Sequence, residues 1–344
     1  MHTPLRVIQV GLGGFGRSWA TVLRGEPKVE LVAVVDPAPP AREWAGAELG
    51  LSHDRVLASL DDALVTIEAD AVVVVTPPET HHATVIASLR AGRHVLVEKP
   101  LATSIADARD LVTAADLADR FLMVSQNYRF RAPARAVRAA IAGGTLGELV
   151  AIRMTFGRDT RQLWPPDNFR YAMRHPLVLD MAIHHADLLR MVTGRNVVRV
   201  DARSWRAPDS PYVHDPEVLA LMELEGGVPV VYDGSWATRR PETSWNAEWE
   251  FIGTSGRLLW TGGVSNALTG EIFLERWGAP LLSLPLPELP AVDRAGALSA
   301  FIAAINGGDP LETSARDNIH SLSIVLAWVR SIEEGVPISL AEFH

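Results

Sequence analysis

The hexapeptide GLGGFG at residues 11–16 constrains the fold of this chain more than any other stretch of its sequence. It follows the apolar, strand-like run at 6–11 and opens an amphipathic, helix-like segment. In such a strand–turn–helix unit, Gly11 permits a tight turn, Gly13 lets the backbone approach a pyrophosphate, and Gly16 lets helix and strand pack closely. The spacing therefore predicts a dinucleotide-binding turn, in which Gly14 and Phe15 also take part.

An acidic residue follows at the position where such turns bind the adenosine ribose. Asp36 ends the next apolar run, twenty residues after Gly16. A carboxylate there can accept hydrogen bonds from the ribose hydroxyls and repels a 2′-phosphate. Pro37 comes next, and the nearest arginine, Arg42, is six residues from Asp36. We therefore expect NAD as the cofactor, in preference to NADP; the alternative is a glycine-rich turn with an incidental acid.

Strand-like and helix-like segments alternate through the first part of the chain. Apolar runs rich in β-branched residues occur at 6–11, 29–36, 70–78, 94–100 and 120–127. Between them, Ser59 and either Thr103 or Ser104 can cap amphipathic helices. Strands that are apolar on both faces and alternate with helices are typical of a doubly wound parallel sheet. The sequence predicts an α/β Rossmann domain over residues 1–127.

The pattern changes after residue 128, where strands alternate apolar and polar residues and are joined by glycine-containing turns. This is typical of antiparallel sheets. We predict an α+β domain over 128–344 with a large, mostly antiparallel open sheet, a proline-rich crossing segment at 280–293 and two late helices at 294–307 and 314–335. The late helix is also a candidate to pack back on the first domain.

Composition excludes several classes of function. The net charge is −9 without a block of basic residues, which disfavours nucleic-acid binding. The absence of cysteine excludes disulfides, thiolate metal sites and a cysteine nucleophile. We identify no signal peptide and no apolar run near the roughly 18 residues of a membrane span. We expect a cytoplasmic protein without a membrane or nucleic-acid partner.

One of the rare lysines stands at a position suited to chemistry. The chain has 32 Lys and Arg residues, of which only Lys28 and Lys99 are lysine. Lys99 follows a predicted strand in the stretch HVLVEKPLA, and such strands end at the ligand-binding edge of the sheet. A compact ammonium can contact a single oxygen, which a planar guanidinium does less readily. Lys99 is therefore a candidate catalytic residue, and Lys28 is interpreted as incidental.

A second cluster lies in HPLVLDMAIHHADLLRMVTG at 175–194. Asp180, His184 and Asp187 are spaced i, i+4 and i+7, which predicts one shared helix face. Three interpretations remain open: a solvated Asp/His stripe, a metal site that recruits ligands from elsewhere, or hydride-transfer chemistry in which His184 takes a hydroxyl proton. We expect no bound metal.

Five stretches, GLGGFGRSWA, TPPETHHATVIASLRAGRHVLVEKPLA, NYRF, GGTLGEL and DMAIHHADLLRMVTG, resemble the glucose–fructose oxidoreductase / inositol dehydrogenase / MocA (Gfo/Idh/MocA) family. The resemblance implies a two-domain dehydrogenase for sugars, polyols and cyclitols. In it, Lys99 and His184 face the nicotinamide and Asp180 supports them. It also implies homodimers or homotetramers that bury the open face of the second-domain sheet.

The resemblance carries further residues. It implies that Thr76, Pro77, His81, Glu98 and Lys99 border the cofactor, and that Asn127, Tyr128 and Arg129 lead into the substrate region together with Lys99, Asp180 and His184. The loops at 157–175 and 236–245 add Trp164 and Trp236, whose rings suit stacking on a sugar. One departure is the His175–Pro176 pair, where many relatives carry Gly-Gly before the motif aspartate.

Together these patterns predict an NAD-dependent oxidoreductase of the CH–OH/C=O couple, with Lys99, Asp180 and His184 as its catalytic residues. Two alternatives stay open. One is an enzyme that retains NAD through an elimination or glycoside cleavage without net redox change. The other is a cofactor-binding regulator without catalysis.

Overall fold

The chain divides into two compact units in the computed structural model, which describes residues 3–262 and 270–343. The first unit comprises residues 1–127 and 291–319, and the second comprises 128–290 and 320–344. The sequence placed a single division after residue 127. The structure also divides the chain there, but it returns the segment 291–319 to the first unit.

The first unit is built on a six-stranded parallel sheet with the order β3-β2-β1-β4-β5-β6. Its strands are β1 (Leu5–Val10), β2 (Val29–Val35), β3 (Val56–Leu57), β4 (Ala71–Val74), β5 (His94–Glu98) and β6 (Leu122–Ser125). The helices between them are α1 (Gly14–Gly25), α2 (Pro39–Leu49), α3 (Leu60–Thr66), α4 (His81–Arg90) and α5 (Ile105–Ala118). This order reverses direction between β1 and β4, where doubly wound sheets bind ligands at the carboxyl ends of their strands.

Local sequence explains these elements well. The central strands β4 and β5 are buried along almost their whole length, as the continuous apolar runs require. Ser59 accepts a hydrogen bond from the Asp62 amide and Ser104 from the Asp107 amide, so both side chains cap helices. The Rossmann fold predicted from strand–helix alternation is confirmed.

The second unit contains a nine-stranded sheet with the order β14-β13-β12-β11-β7-β10-β9-β8-β15. Its strands are β7 (Leu149–Gly157), β8 (Val197–Trp205), β9 (Glu217–Leu224), β10 (Val228–Ser235), β11 (Glu248–Gly253), β12 (Gly256–Thr261), β13 (Glu271–Arg276), β14 (Leu282–Leu284) and β15 (Ile338–Ser339). Among the described strands of this sheet, only β7 and β10 pair in parallel, so the predicted mostly antiparallel sheet is confirmed. The segment predicted as a linker contributes β14.

The helices of the second unit include α6 (Ala132–Ala142) and α7 (Ile183–Thr193). The late helices are α8 (Asp293–Ile305), which belongs to the first unit, and α9 (Ala315–Glu334), which starts in residues of the first unit and ends in the second. The Val124 amide donates to the Thr313 carbonyl, which joins the returning segment to the edge strand β6. Among the described residues, the helices lack the combination of length and hydropathy needed to cross a bilayer.

Candidate active site

The glycine turn between β1 and α1 has the geometry that its spacing predicts. Gly11 adopts a left-handed backbone with φ of 95°, and a Cβ there would lie 2.4 Å from the Val75 carbonyl oxygen. A Cβ on Gly16 would lie 2.2 Å from the Gly11 carbonyl oxygen. Around Gly13 and Gly14, by contrast, a Cβ would meet open space, so the backbone there is accessible to a ligand. The turn fits a pyrophosphate.

Two buried side chains fix this turn. The Gln9 amide donates to the carbonyl oxygens of Gly11 at 2.9 Å and Gly16 at 2.7 Å. Asp36, at the end of β2, accepts from the Leu12 amide at 2.7 Å and the Ala38 amide at 2.9 Å. Asp36 therefore orients the turn and still has lone pairs for ribose hydroxyls, because an ionised carboxylate accepts about four hydrogen bonds. Gln9 was not among the residues predicted from the sequence.

Arg42 lies closer to the candidate ribose site than its sequence separation suggested. Its Nη1 donates to the carbonyl oxygens of Asp36 and Pro37, both at 2.8 Å. The guanidinium thus lies beside the acidic residue, held by backbone acceptors. Helix α2 makes this possible because it begins at Pro39 and turns Arg42 back over the end of β2.

His81 joins the two loops that follow β4 and β5. One ring nitrogen, Nε2, lies 2.9 Å from the Thr76 carbonyl oxygen, and Nδ1 lies 2.8 Å from the Pro100 carbonyl oxygen. Burial lowers the pKa of His81, although its hydrogen bonds to these carbonyl groups oppose the shift. Thr76 is also bound through its hydroxyl, which accepts from Thr80. His81 therefore holds the Thr76–Pro77 turn against the Lys99–Pro100 turn.

Glu98 anchors the turn that presents Lys99. Its buried carboxylate accepts from the Trp19 indole at 2.7 Å and from the Lys99 amide at 3.1 Å. Burial raises the pKa of Glu98, and these hydrogen bonds oppose the rise. The Lys99–Pro100 peptide is cis. Lys99 follows β5 at the same edge of the sheet as Gly11 after β1 and Thr76 after β4, because parallel strands share one carboxyl edge.

In the second unit, Asp180 lies on a π-helical turn and not on an α-helix. Residues Leu177–Ala182 form this turn, and α7 begins directly after it at Ile183. The expectation that one α-helix carries Asp180, His184 and Asp187 is therefore wrong, because Asp180 lies on an i→i+5 turn and not on the 3.6-residue repeat assumed. Such turns are frequent at functional sites.

Arg170 is the partner of Asp180 that sequence spacing did not reveal. Its Nε donates to the Asp180 carboxylate at 2.5 Å. The guanidinium also lies over the ring of Trp164, 4.8 Å from the centroid. Trp164 packs edge-to-face on Trp236, which is only 1% exposed. Trp236 thus supports Trp164 from beneath, whereas Trp164 is partly exposed.

His184, Tyr128 and Arg131 form a short stack of side chains with Tyr128 in the middle. The His184 ring lies 4.2 Å from the Tyr128 ring with an interplanar angle of 8°, and the Arg131 guanidinium carbon lies 3.3 Å from the Tyr128 centroid on that ring. Arg131 is fixed by a hydrogen bond of 2.6 Å to the Asn246 side chain. This stack holds the His184 ring in one orientation, which a proton-transferring group requires.

The neighbouring residues of the motif have different surroundings. Asp187 accepts two hydrogen bonds of 2.6 Å from Arg129 and one of 2.7 Å from Ser321, all in the interior of the second unit. Arg129, predicted to bind substrate, is thus part of a buried ion pair that attaches α7.

Two further residues are also held by protein groups. His185 is buried between the Tyr232 hydroxyl and the Trp245 carbonyl. Asn127 likewise donates to the Asp293 carboxylate within the first unit.

The structure therefore groups the predicted residues in two sets. The first unit brings the glycine turn, Asp36, the Thr76 turn and the Lys99 turn to one sheet edge. The second unit places His184, Tyr128, Asp180 and Trp164 on or near the π-helical turn and α7. Within the described residues, the structure shows no group of three or more His, Asp or Glu side chains that could hold a metal ion.

Two family models match the chain, one in each of its two units. Residues 5–126 match the family described as the Gfo/Idh/MocA oxidoreductase family, NAD-binding Rossmann fold, and residues 134–259 match the Gfo/Idh/MocA C-terminal domain. The first unit is thus an NAD-binding domain, and its accessible glycine turn fits that cofactor.

Individual relatives extend over nearly the whole chain. A 1,5-anhydro-D-fructose reductase from Ensifer adhaerens is 28% identical and aligns over 95% of this chain and 96% of its own length. A myo-inositol 2-dehydrogenase from Thermotoga maritima is 26% identical over 98% and 99%. An inositol dehydrogenase homologue from Azotobacter vinelandii, solved with NADH and myo-inositol, has a TM-score of 0.82 at 22% identity, covering 98% of both chains. With both of its domains matched in order, the chain belongs to the Gfo/Idh/MocA family of oxidoreductases.

Proposed function

We propose that this protein is an NAD-dependent oxidoreductase that interconverts a CH–OH group and a carbonyl group on a sugar, polyol or cyclitol. One observation carries the proposal: the Glu98-anchored turn presents Lys99 at the same sheet edge as the NAD-binding glycine turn. The relatives named for 1,5-anhydro-D-fructose and myo-inositol support this substrate class.

Each candidate residue has a defined task in this reaction. NAD, when bound, supplies the acceptor or donor of the hydride. Lys99 donates a hydrogen bond to the reacting oxygen and stabilises negative charge on it. His184 takes the hydroxyl proton during oxidation and returns it during reduction. The Nδ1 atom of His184 is buried, so we assign the transfer to Nε2.

Asp180 and Trp164 orient the substrate in this proposal. The Asp180 carboxylate can accept from a substrate hydroxyl while Arg170 holds it in place. The partly exposed ring of Trp164 offers an apolar surface for the C–H face of a sugar ring. Tyr128 and Arg131 keep the imidazole of His184 fixed.

The direct experiment screens sugars, inositols and their keto forms with the purified protein and NAD or NADH, following absorbance of the reduced nicotinamide. His184→Ala should lower kcat by roughly 10²–10⁴, the usual contribution of a general acid or base, and leave NADH binding intact. His82→Ala serves as the control, because His82 is a partly exposed histidine that contacts Asp110. Unchanged turnover in His184→Ala would contradict the assignment.

The screen also separates the remaining alternatives. Product formation without added cofactor and without a net absorbance change would favour a non-net-redox enzyme with retained NAD. NADH binding without turnover of any compound would favour a regulator. The cytoplasmic location stays a prediction.

We further propose that the protein is a homodimer or homotetramer through the second-unit sheet. The outer face of this sheet exposes Leu219, Leu221 and Val231, and Leu221 and Val231 are direct neighbours on β9 and β10. Leu221→Glu should dissociate the oligomer in sedimentation experiments. Leu117→Glu, which alters an exposed leucine of the first unit, should not. A monomeric wild-type protein would refute the proposal.

A further inference from the structure

A cation from the returning segment lies beside the glycine turn. Arg294, the second residue of α8, belongs to the first unit although it is almost three hundred residues from the turn in sequence. Its guanidinium carbon lies 4.9 Å from the centroid of the Phe15 ring, and its Nη1 donates to the Ser18 hydroxyl at 2.5 Å. Both partners are on the first two turns of α1.

The backbone around Arg294 is fixed by neighbours in the same unit. Asp293 has a left-handed conformation with φ of 56°, which is uncommon for a residue with a side chain. Its carboxylate accepts a hydrogen bond from the Asn127 amide. This contact fixes the start of α8, so Arg294 extends from an anchored helix end toward α1.

The amino-terminal end of α1 is suited to an anion. Its cap is Gly13, and the first turn contains no acidic residue and no side-chain cap. The backbone N–H groups of that turn are therefore available to a ligand, and the helix dipole favours negative charge there. Another nearby arginine, Arg17, lies over the Trp44 ring.

Arg294 has donors beyond those its protein contacts use. A guanidinium carries five N–H groups in a planar fork, and the contacts of Arg294 within the described residues are with one hydroxyl and with the rings of Phe15 and Trp19. The aromatic rings hold the plane of the fork without neutralising its charge. Such a fork matches the oxygens of carboxylate and phosphate groups, and the anion that a glycine turn of this kind binds is a phosphate.

We propose that Arg294 is a phosphate-binding residue of the cofactor site and donates to the pyrophosphate of NAD alongside the backbone of the glycine turn. The inference rests on the NAD-binding domain and is independent of which substrate the enzyme oxidises. It adds a charged side chain, supplied by the returning segment, to a turn that otherwise offers backbone donors.

Binding measurements test this assignment without any turnover. Arg294→Gln should weaken NADH, ADP-ribose and ADP by about ten- to a hundredfold, the usual worth of a hydrogen bond to a charged group, and leave adenosine binding unchanged. NADH is followed by its fluorescence, the nucleotides by titration calorimetry and adenosine by ligand-observed NMR. The matched control is Arg24→Gln, which removes an equal charge from the other end of α1, where Arg24 contacts the Glu48 carbonyl.

Two results would overturn the proposal. One is NADH and ADP-ribose affinity in Arg294→Gln equal to that of Arg24→Gln. The other is an equal loss for adenosine, which would indicate a distorted domain. Arg294→Lys keeps the charge without the fork and should bind NADH with an affinity between those of the wild type and Arg294→Gln. If the glutamine variant does not fold, this lysine variant tests the role of Arg294 in its place. Wild-type affinity of the lysine variant at low and high salt would then refute the role.

Discussion

Acid should destabilise the second unit through one buried histidine, His185. The Trp245 carbonyl can only accept, so the Nε2 of His185 carries the proton, and Nδ1 accepts from the Tyr232 hydroxyl. The ring is thus held as one neutral tautomer. Burial lowers the pKa of His185 to about 4 from the usual 6.5, against the opposing effect of the Trp245 carbonyl.

The direction and size of the effect follow from this shift. Because the folded-state pKa is below the unfolded one, the unfolded chain binds a proton first as pH falls. The contribution of the neutral His185 ring to the free energy of unfolding is complete above pH 6.5 and is lost as the pH falls toward 4. At about 1.4 kcal/mol per unit of pKa, the loss amounts to about 3 kcal/mol in the free energy of unfolding.

Urea unfolding at a series of pH values measures this loss. In His185→Gln the amide can still donate to Trp245 and accept from Tyr232, but it does not titrate. Between pH 6.5 and 4, the free energy of unfolding of the variant should fall by about 3 kcal/mol less than that of the wild type. His53→Gln, a change at an exposed histidine, should retain the wild-type pH dependence. Equal pH dependence in His185→Gln and wild type, or an imidazole resonance of His185 that titrates near pH 6.5, would refute the reasoning.

Three further predictions concern other parts of the molecule. Asp187→Asn breaks a buried ion pair with Arg129 and should lower the free energy of unfolding, measured in urea, by about 3–5 kcal/mol. Asp201→Asn, in an exposed pair with Arg203, should lower it by less than about 1 kcal/mol. Gly16→Ala forces a Cβ against the Gly11 carbonyl and should abolish NADH binding in fluorescence titrations, whereas Gly25→Ala on the same helix meets open space and should not. Asp36→Ser removes the charge that repels a 2′-phosphate near Arg42. The preference for NAD over NADP should therefore fall by about tenfold, which is the size of one partly screened charge contact. An unchanged ratio of the two dissociation constants would contradict the role of Asp36.

The parts of this protein that the sequence predicted correctly depend on local patterns. The glycine turn, the caps at Ser59 and Ser104 and the buried parallel strands each follow from residues within a few positions of one another. The helix with Asp180 and His184 was identified, but its first turn was not. An α and a π turn differ by one residue in hydrogen-bond spacing, and apolar periodicity over six residues does not distinguish them.

Three contacts of the sites were not predicted from the sequence, because they depend on how the chain folds. Gln9 binds the glycine turn from beneath, Arg170 holds Asp180 from a loop, and Arg294 reaches α1 from the returning segment. No spacing rule selects such residues, because the sequence does not distinguish one of the thirty arginines from another before the fold gives each its neighbours.

The fold also separates the two histidines of the motif. Adjacent residues in a helix point about 100° apart, so His184 stacks on Tyr128 while His185 is enclosed by Tyr232 and Trp245. Proton transfer needs a ring whose charge can change, and burial opposes a charge on the ring of His185.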